Sequence, residues 1–385
     1  MLRAARYRDV HLYQGFAHSV FDGRVPYRDF FMEYPPGALV VFLPPEVFGS
    51  AHYNAAFKVL MALSGIATLA VLAVLLDRIG VAPWRLWTAL LLFALSPLAL
   101  GPISLNTYDA WPALLTLLAL LLLISGRATF ALGVLGAGFA AKFYPVVLLP
   151  PALIFVWRTG GRQVAYRALA AFSLVAAAFI VPFLALAPHG LAESFRAQAA
   201  RSLQVESLGG SFLAVADRLG IYDATVVHRT GHAISYDLVG SLPHALATVS
   251  SVLQAAAVLA VAWLYYRGRD QPLRLGVAFA AAVIGFLTFT RFFSPQYLVW
   301  VLPLVLLLEP AAWVVTGLAL VLAQIWFFHY GNVFALGGYV WLVFVRDLLM
   351  VVLFALAVRS LGRRDAPEHE DAVLLEHELP VRVPS

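Results

Sequence analysis

The sequence predicts an all-α, polytopic membrane protein of about eleven transmembrane helices, on three observations. Of 385 residues, 62% are hydrophobic and only 12% charged, about half the charged share of a soluble domain; mean hydropathy is +0.84. The apolar residues form unbroken runs of about 20, the length of a spanning helix. Basic residues fall between the runs, and all but Lys58 and Lys142 are arginine. These features exclude a cytosolic enzyme, a disordered chain and a small secreted scaffold. The absence of cysteine excludes disulfides, thiolate chemistry and Cys-type zinc sites. The net charge of +5 reads as membrane topology, with no nucleic-acid partner, because the arginines flank apolar runs.

Clear spans are expected near 54–79, 84–101, 107–125, 166–187, 243–266, 273–291, 311–328 and 338–358. The run 128–157 is too long for one ordinary span and holds Lys142-Phe143-Tyr144-Pro145. Proline removes a donor and clashes with the preceding turn, so two short helices, 128–141 and 145–157, meet at Lys142. Residues 296–309 make a further short span. This layout puts Arg78, Arg85, Arg127, Arg158, Arg162, Arg167, Arg267, Arg269, Arg274, Arg359, Arg363 and Arg364 on one side, which the positive-inside rule makes cytoplasmic. Arg291 is the one positive charge in a short loop on the other side. The chain then divides into a first extracytoplasmic loop with interfacial helices (1–50), an N-terminal transmembrane module (51–187), a second extracytoplasmic loop (188–242), C-terminal helices (243–358) and an acidic, disordered cytoplasmic tail (359–385). No repeat of fixed period is present, nor the inverted repeat of many transporters.

Two outer segments hold most of the polar chemistry. In the first, Phe16, Val20 and Phe21 share a helical face, so a short helix is expected to lie at the interface. Asp9, Asp29, Glu33 and Tyr34 surround it, and Pro26, Pro35 and Pro36 stiffen the return path. The segment suits a catalytic loop or a solvated loop anchored by aromatics. The second segment carries Arg196, Arg201, Glu206, His228, Arg229, His232 and Asp237. Arginines beside a membrane suit a phosphate, or form exposed ion pairs of little worth. His228 and His232 share a helical spacing, but no third ligand follows at a zinc spacing, so neither metal nor cofactor is expected. Within the spans, Lys142, Arg291 and the pair Arg346-Asp347 are costly and hence functional candidates. Lys142 is placed to neutralise a lipid phosphate or to snorkel, and Arg346 and Asp347 to compensate each other. Asp109 either complements a helix dipole or lines a cavity.

Several motifs then occur in order: Asp9-Val10 with Leu12-Tyr13, Pro26-Tyr27-Arg28-Asp29-Phe30, Glu33-Tyr34-Pro35-Pro36, Tyr108-Asp109-Ala110-Trp111-Pro112, Lys142-Phe143-Tyr144-Pro145, Arg201 through Leu208, and Ser294 through Trp300. Over roughly residues 9 to 350 this series resembles the membrane glycosyltransferases of the GT-C class, and most of all family 87, the polyprenol-phosphate-mannose-dependent α-1,2-mannosyltransferase group. The resemblance implies GT-C architecture and an inverting transferase in the plasma membrane. It implies a polyprenyl-phosphate sugar donor, most often of mannose, and a hydroxyl of a glycan or glycolipid acceptor on the outer face. It makes Asp9 the general base. Inverting displacement needs one base within reach of the attacking hydroxyl and cations where charge develops on the leaving phosphate. Lys142, Arg201 and Arg291 are the candidates for that second role. Asp29, Glu33, Tyr34, Asp109, Glu206 and Gln296 are candidates for substrate binding or support.

Relatives of this kind carry a transmembrane helix before the aspartate, whereas only eight residues, including Arg3, Arg6 and Arg8, precede Asp9. A twelfth helix encoded upstream is therefore expected. The competing readings are a transporter or flippase of a polyprenyl-linked glycan, and a non-catalytic partner that binds lipid-linked sugar. A transporter concentrates polar groups at the bilayer midplane; here they cluster at the outer surface.

Overall fold

The computed structural model describes residues 9–229 and 235–363. Arg3, Arg6, Arg8, His232, Arg364 and the acidic tail beyond it lie outside the described residues.

The chain opens with α1 (Asp9–Phe21), a 3-10 turn, α2 (Leu39–Phe42) and a second 3-10 turn. The long helices α3 (Tyr53–Ile79) and α4 (Pro83–Leu100) follow, then the short α5 (Ile103–Asn106), then α6 (Ala110–Ile124) and α7 (Ala128–Ala141). In lipid every backbone donor and acceptor must be satisfied within the segment, which makes these apolar runs helical. As expected, α7 stops at Lys142, whose backbone is extended (φ −157°), ahead of a 3-10 turn bearing Pro145. The second arm of the predicted hairpin ends a few residues beyond 157, at Gly161. The stretch labelled α8 (Leu149–Leu186) is two helices that meet at Gly161 (φ 79°, ψ 176°), between the two helices the sequence predicts. Arginine and glutamine are good helix formers, so the polar residues on either side stay helical up to the glycine, and the expected loop shrinks to that one residue.

The segment 188–242 holds α9 (Pro188–Ala199), β1 (Leu203–Gln204), α10 (Leu208–Arg218), β2 (Thr225–Arg229) and β3 (Ser235–Val239). The strands form an antiparallel sheet in the order β1-β3-β2, with Leu203 opposite Leu238 and His228 opposite Tyr236. The sheet corrects the all-α expectation. The β-branched residues Thr225, Val226 and Val227 favour it. The chain closes with α11 (Ser241–Arg267), α12 (Pro272–Thr288), α13 (Leu298–Val305), α14 (Pro310–Phe327), α15 (Tyr330–Phe334) and α16 (Val340–Arg363). The last helix outruns the predicted start of the tail at 359.

Six helices among the described residues are long and apolar enough to cross a membrane alone; α6, α7, α12 and the segment Pro295–Val305 are apolar but shorter. The chain is thus multi-pass, and the count of eleven is not reproduced as eleven full-length spans. Large apolar side chains such as Leu98, Ile66 and Leu174 face outward, the surface expected against lipid.

The helix ends that carry arginine meet at one end of the bundle. Arg78 donates to Ser125 Oγ (2.6 Å), Arg85 to the Leu308 carbonyl (2.8 Å) and Arg158 to the Gly268 carbonyl (2.8 Å). Buried Arg274 donates to the carbonyls of Leu264 (2.7 Å) and Tyr265 (2.8 Å), closing the end of α11. Asp109 and Ser125 bound opposite ends of α6, so polar groups near Asp109 gather at the other end.

Candidate active site

At that other end lies a cavity of about 940 Å³. Its walls come from α1, the loop before α2, the α7–α8 junction, β1 and β3, and the residues between α12 and α13. Of the residues singled out from sequence, Asp9, Glu33, Tyr34, Lys142, Arg201, Glu206 and Gln296 all line it.

Asp9 begins α1 and is set by the buried face of that helix. The face is Val10, Tyr13, Phe16 and Ala17, not Phe16, Val20 and Phe21 as expected; Phe21 is 54% exposed. The stripe turns because Tyr13 stacks on Phe42 at 4.3 Å and meets Tyr108 edge-on at 5.7 Å. The Asp9 carboxylate accepts no hydrogen bond among the described residues. Burial, reinforced by the charges of Asp109 and Glu33 and opposed by Lys142, pushes its pKa up to about 6.

Glu33 and Tyr34 sit on a loop pinned from both sides. Ser194 donates to the Met32 carbonyl (2.8 Å), Gln198 to that of Glu33 (2.8 Å) and Tyr27 to that of Tyr34 (2.6 Å). Gly37 brings this loop onto the end of α7: a Cβ there would stand 2.6 Å from the Ala140 carbonyl. Glu33 pairs with Arg201 at 3.5 Å, yet burial still raises its pKa. The Arg201 guanidinium lies 5.1 Å from the centre of the Phe292 ring.

Lys142 Nζ contacts Asp109 Oδ1 at 2.5 Å. Asp109 lies fully buried beneath the cavity and takes a second bond from Trp300 Nε1 at 2.7 Å. It therefore does not act as a helix cap through its side chain. The rings of Tyr108, Trp300 and Tyr297 stand 4.5, 5.0 and 5.4 Å from the ammonium. Behind the cavity lining, Arg346 donates to the backbone carbonyl of Glu206 (2.7 Å). The Glu206 side chain faces the cavity, and burial pushes its pKa up to about 8. Arg346 and Asp347 do pair, at 2.9 Å, and Ser211 donates to Asp347 (2.6 Å).

Two candidates stand apart. Asp29 closes a turn in the first loop, accepting from the Val25 N–H (2.7 Å) and from Arg28, and does not line the cavity. The Arg291 side chain donates to the Ala199 carbonyl, and its own carbonyl receives the Gln204 N–H (2.9 Å). It braces the segment 188–242 against the α12–α13 link rather than reaching the cavity. His228 stacks on Tyr236 at 4.4 Å.

Several lining residues escaped the sequence reading: His11, Phe292, Ser235, Tyr236, Phe334 and Trp300. Trp300 had a signal, since Tyr297 and Trp300 share one face of a helix in the last motif. Tyr236 and Phe334 had none, because only the sheet and α15 bring them there.

The arrangement combines a carboxylate free to accept a proton, a buried ammonium and a guanidinium in one cavity beside an apolar bundle. No curated protein matches the chain. Among solved structures, that of ArnT from Cupriavidus metallidurans in the apo state is similar at a TM-score of 0.48 and 15% identity, covering 93% of this chain and 72% of that one. The model of glycosyltransferase family 87 matches residues 31–295, more than half of the chain and most of the cavity wall, though not Asp9. The chain belongs to glycosyltransferase family 87, as a multi-pass membrane glycosyltransferase.

Proposed function

We propose that the chain moves a hexose, mannose in the first instance, from a polyprenyl-phosphate donor to a hydroxyl of a lipid-linked or cell-envelope glycan, with inversion, on the outer face of the plasma membrane. The observation that carries this reading is the cavity itself: Asp9, without a hydrogen-bond partner among the described residues, shares it with Lys142 and Arg201. Asp9 takes the proton of the acceptor hydroxyl as its oxygen bonds to the anomeric carbon. The bond from that carbon to the phosphate oxygen breaks on the opposite face, and the electron pair leaves with polyprenyl phosphate. That group departs as a stable anion, so no acid is required; cations stabilise the charge as it develops. Lys142 and Arg201 supply them. Glu206, largely protonated at neutral pH, is suited to donate a hydrogen bond to a sugar oxygen.

An apolar groove of about 340 Å³ runs between α3, α4 and α13, walled by Gly65, Phe93, Pro97, Val299 and Pro303. Val299, Leu302 and Pro303 occupy one face of α13, while Tyr297 and Trp300 turn to the cavity. The groove therefore lies across α13 from the cavity and suits the first isoprene units of the donor. The test is transfer by the purified chain in proteoliposomes, using a panel of radiolabelled polyprenyl-phosphate sugars and comparing wild type with Asp9→Asn. Transfer from the mannose donor, lost in Asp9→Asn, is expected. Wild-type turnover by Asp9→Asn overturns the assignment of the base, and transfer from a different sugar alone overturns the choice of mannose.

A further inference from the structure

A lysine ammonium sits on a flexible four-carbon stem and carries three donors. At Lys142 one donor is used, by Asp109 Oδ1 at 2.5 Å, and the side chain keeps 12% of its surface open toward the cavity it lines. What fixes the ammonium there is a layered support. Asp109 neutralises it, without which a buried charge is costly. The rings of Tyr108, Tyr297 and Trp300 surround it; each such contact is favourable, the more so when desolvated. Trp300 Nε1 donates to the same Asp109 oxygen at 2.7 Å, while Asp109 Oδ2 is buried with no partner. The orientation of the carboxylate therefore rests on two bonds, one from the lysine and one from the indole. The indole is itself locked: Tyr144 stacks on it at 4.1 Å and 8°, and the Tyr144 hydroxyl is engaged by Thr116 (2.8 Å) and donates to the Pro112 carbonyl (3.0 Å).

We propose that Trp300 and Asp109 are positioning residues that aim the Lys142 ammonium, at the cavity floor, at the phosphate of the donor lipid. This rests on the donor assigned under the proposed function. Trp300 touches no reacting atom in this scheme; it acts through Asp109 on Lys142. Phosphate arriving at the cavity meets an ammonium already oriented, with two donors left for its oxygens and its charge shared with a carboxylate that cannot swing away.

The test compares binding of a short polyprenyl phosphate and of the matching polyprenyl alcohol to the full chain in detergent micelles. Wild type, Trp300→Phe, Asp109→Asn and Lys142→Met are measured. Trp300→Phe keeps a ring for Tyr144 and Tyr297 and removes only the N–H. Wild type is expected to prefer the phosphate. Trp300→Phe weakens phosphate binding roughly tenfold, as for a lost hydrogen bond to a charged group, and leaves the alcohol within about twofold. Lys142→Met cuts the preference most, leaving only what Arg201 contributes, and Asp109→Asn reduces it. If Trp300→Phe keeps the wild-type ratio of phosphate to alcohol while Lys142→Met lowers it, the positioning role is wrong and the phosphate anchor stands. If Trp300→Phe weakens both ligands equally, the indole only packs, and the inference fails. A wild-type chain indifferent to the phosphate overturns the donor reading itself. Should Asp109→Asn not fold, Trp300→Phe alone decides.

Discussion

The acid limb of the pH–rate profile follows from the surroundings of Asp9. As a base it must be ionised in the free enzyme, and kcat/KM reports that ionisation. Burial and the carboxylates of Asp109 and Glu33 bring its pKa from 3.8 to about 6, against the pull of Lys142. Lowering the pH through that value protonates the group and removes the base. Activity is thus present above about pH 6 and falls about tenfold for each unit below it. An unshifted aspartate would hold activity to about pH 4. Glu33→Gln removes one of the negative charges that raise Asp9, so the limb moves to lower pH. It moves by less than the whole displacement, because burial is the larger cause. Asp9→Asn lowers kcat by about 10² to 10⁴ and leaves no limb near pH 6. The assay is initial transfer rate in proteoliposomes from pH 4 to pH 8, with the donor held well below saturation. A wild-type limb near pH 4, or a Glu33→Gln limb displaced upward, refutes the reasoning.

Three further outcomes are expected. Arg346 is fully buried against Asp347 and lies 4.1 Å from the centre of the Phe293 ring. Arg346→Leu strands the carboxylate and costs about 3–5 kcal/mol, whereas the double variant with Asp347→Leu recovers most of it; thermal scans in detergent separate the two. Gly37→Ala would put a Cβ 2.6 Å from the Ala140 carbonyl, so it pushes the Glu33–Tyr34 loop off the end of α7 and lowers transfer more than expression, read by activity normalised to folded protein. Because the chain has no cysteine, a single Ser294→Cys on the cavity wall reports access. A membrane-impermeant maleimide is expected to label it from the outer face alone, and labelling from both faces would return the transporter reading.

How far the sequence foretold this site depends on how local each determinant is. The break at Lys142 was legible because proline and the residues before it act within one turn, and α7 does end at Ala141. Asp9, Lys142, Arg201 and Glu206 were legible as polar groups in apolar surroundings, where each must have a reason. The break at Gly161 falls between the two helices expected at 145–157 and 166–187, but it is shorter than expected because the arginines beside it are equally at home in a helix. The strands β2 and β3 were missed because ten residues of mixed polarity between membrane helices carry little pattern, and their pairing places Tyr236 opposite His228 only in three dimensions. Asp29 and Arg291 misled for the opposite reason. Each has the chemistry of a site residue, but Asp29 spends it on the Val25 N–H outside the cavity, and Arg291 spends it on the Ala199 carbonyl. Charge type selects candidates; the backbone groups within reach decide which of them stay available for a ligand. Lys142 remains available because its neighbours are rings and a single carboxylate oxygen: Asp109 neutralises the ammonium at the cost of one donor, and the rings take none.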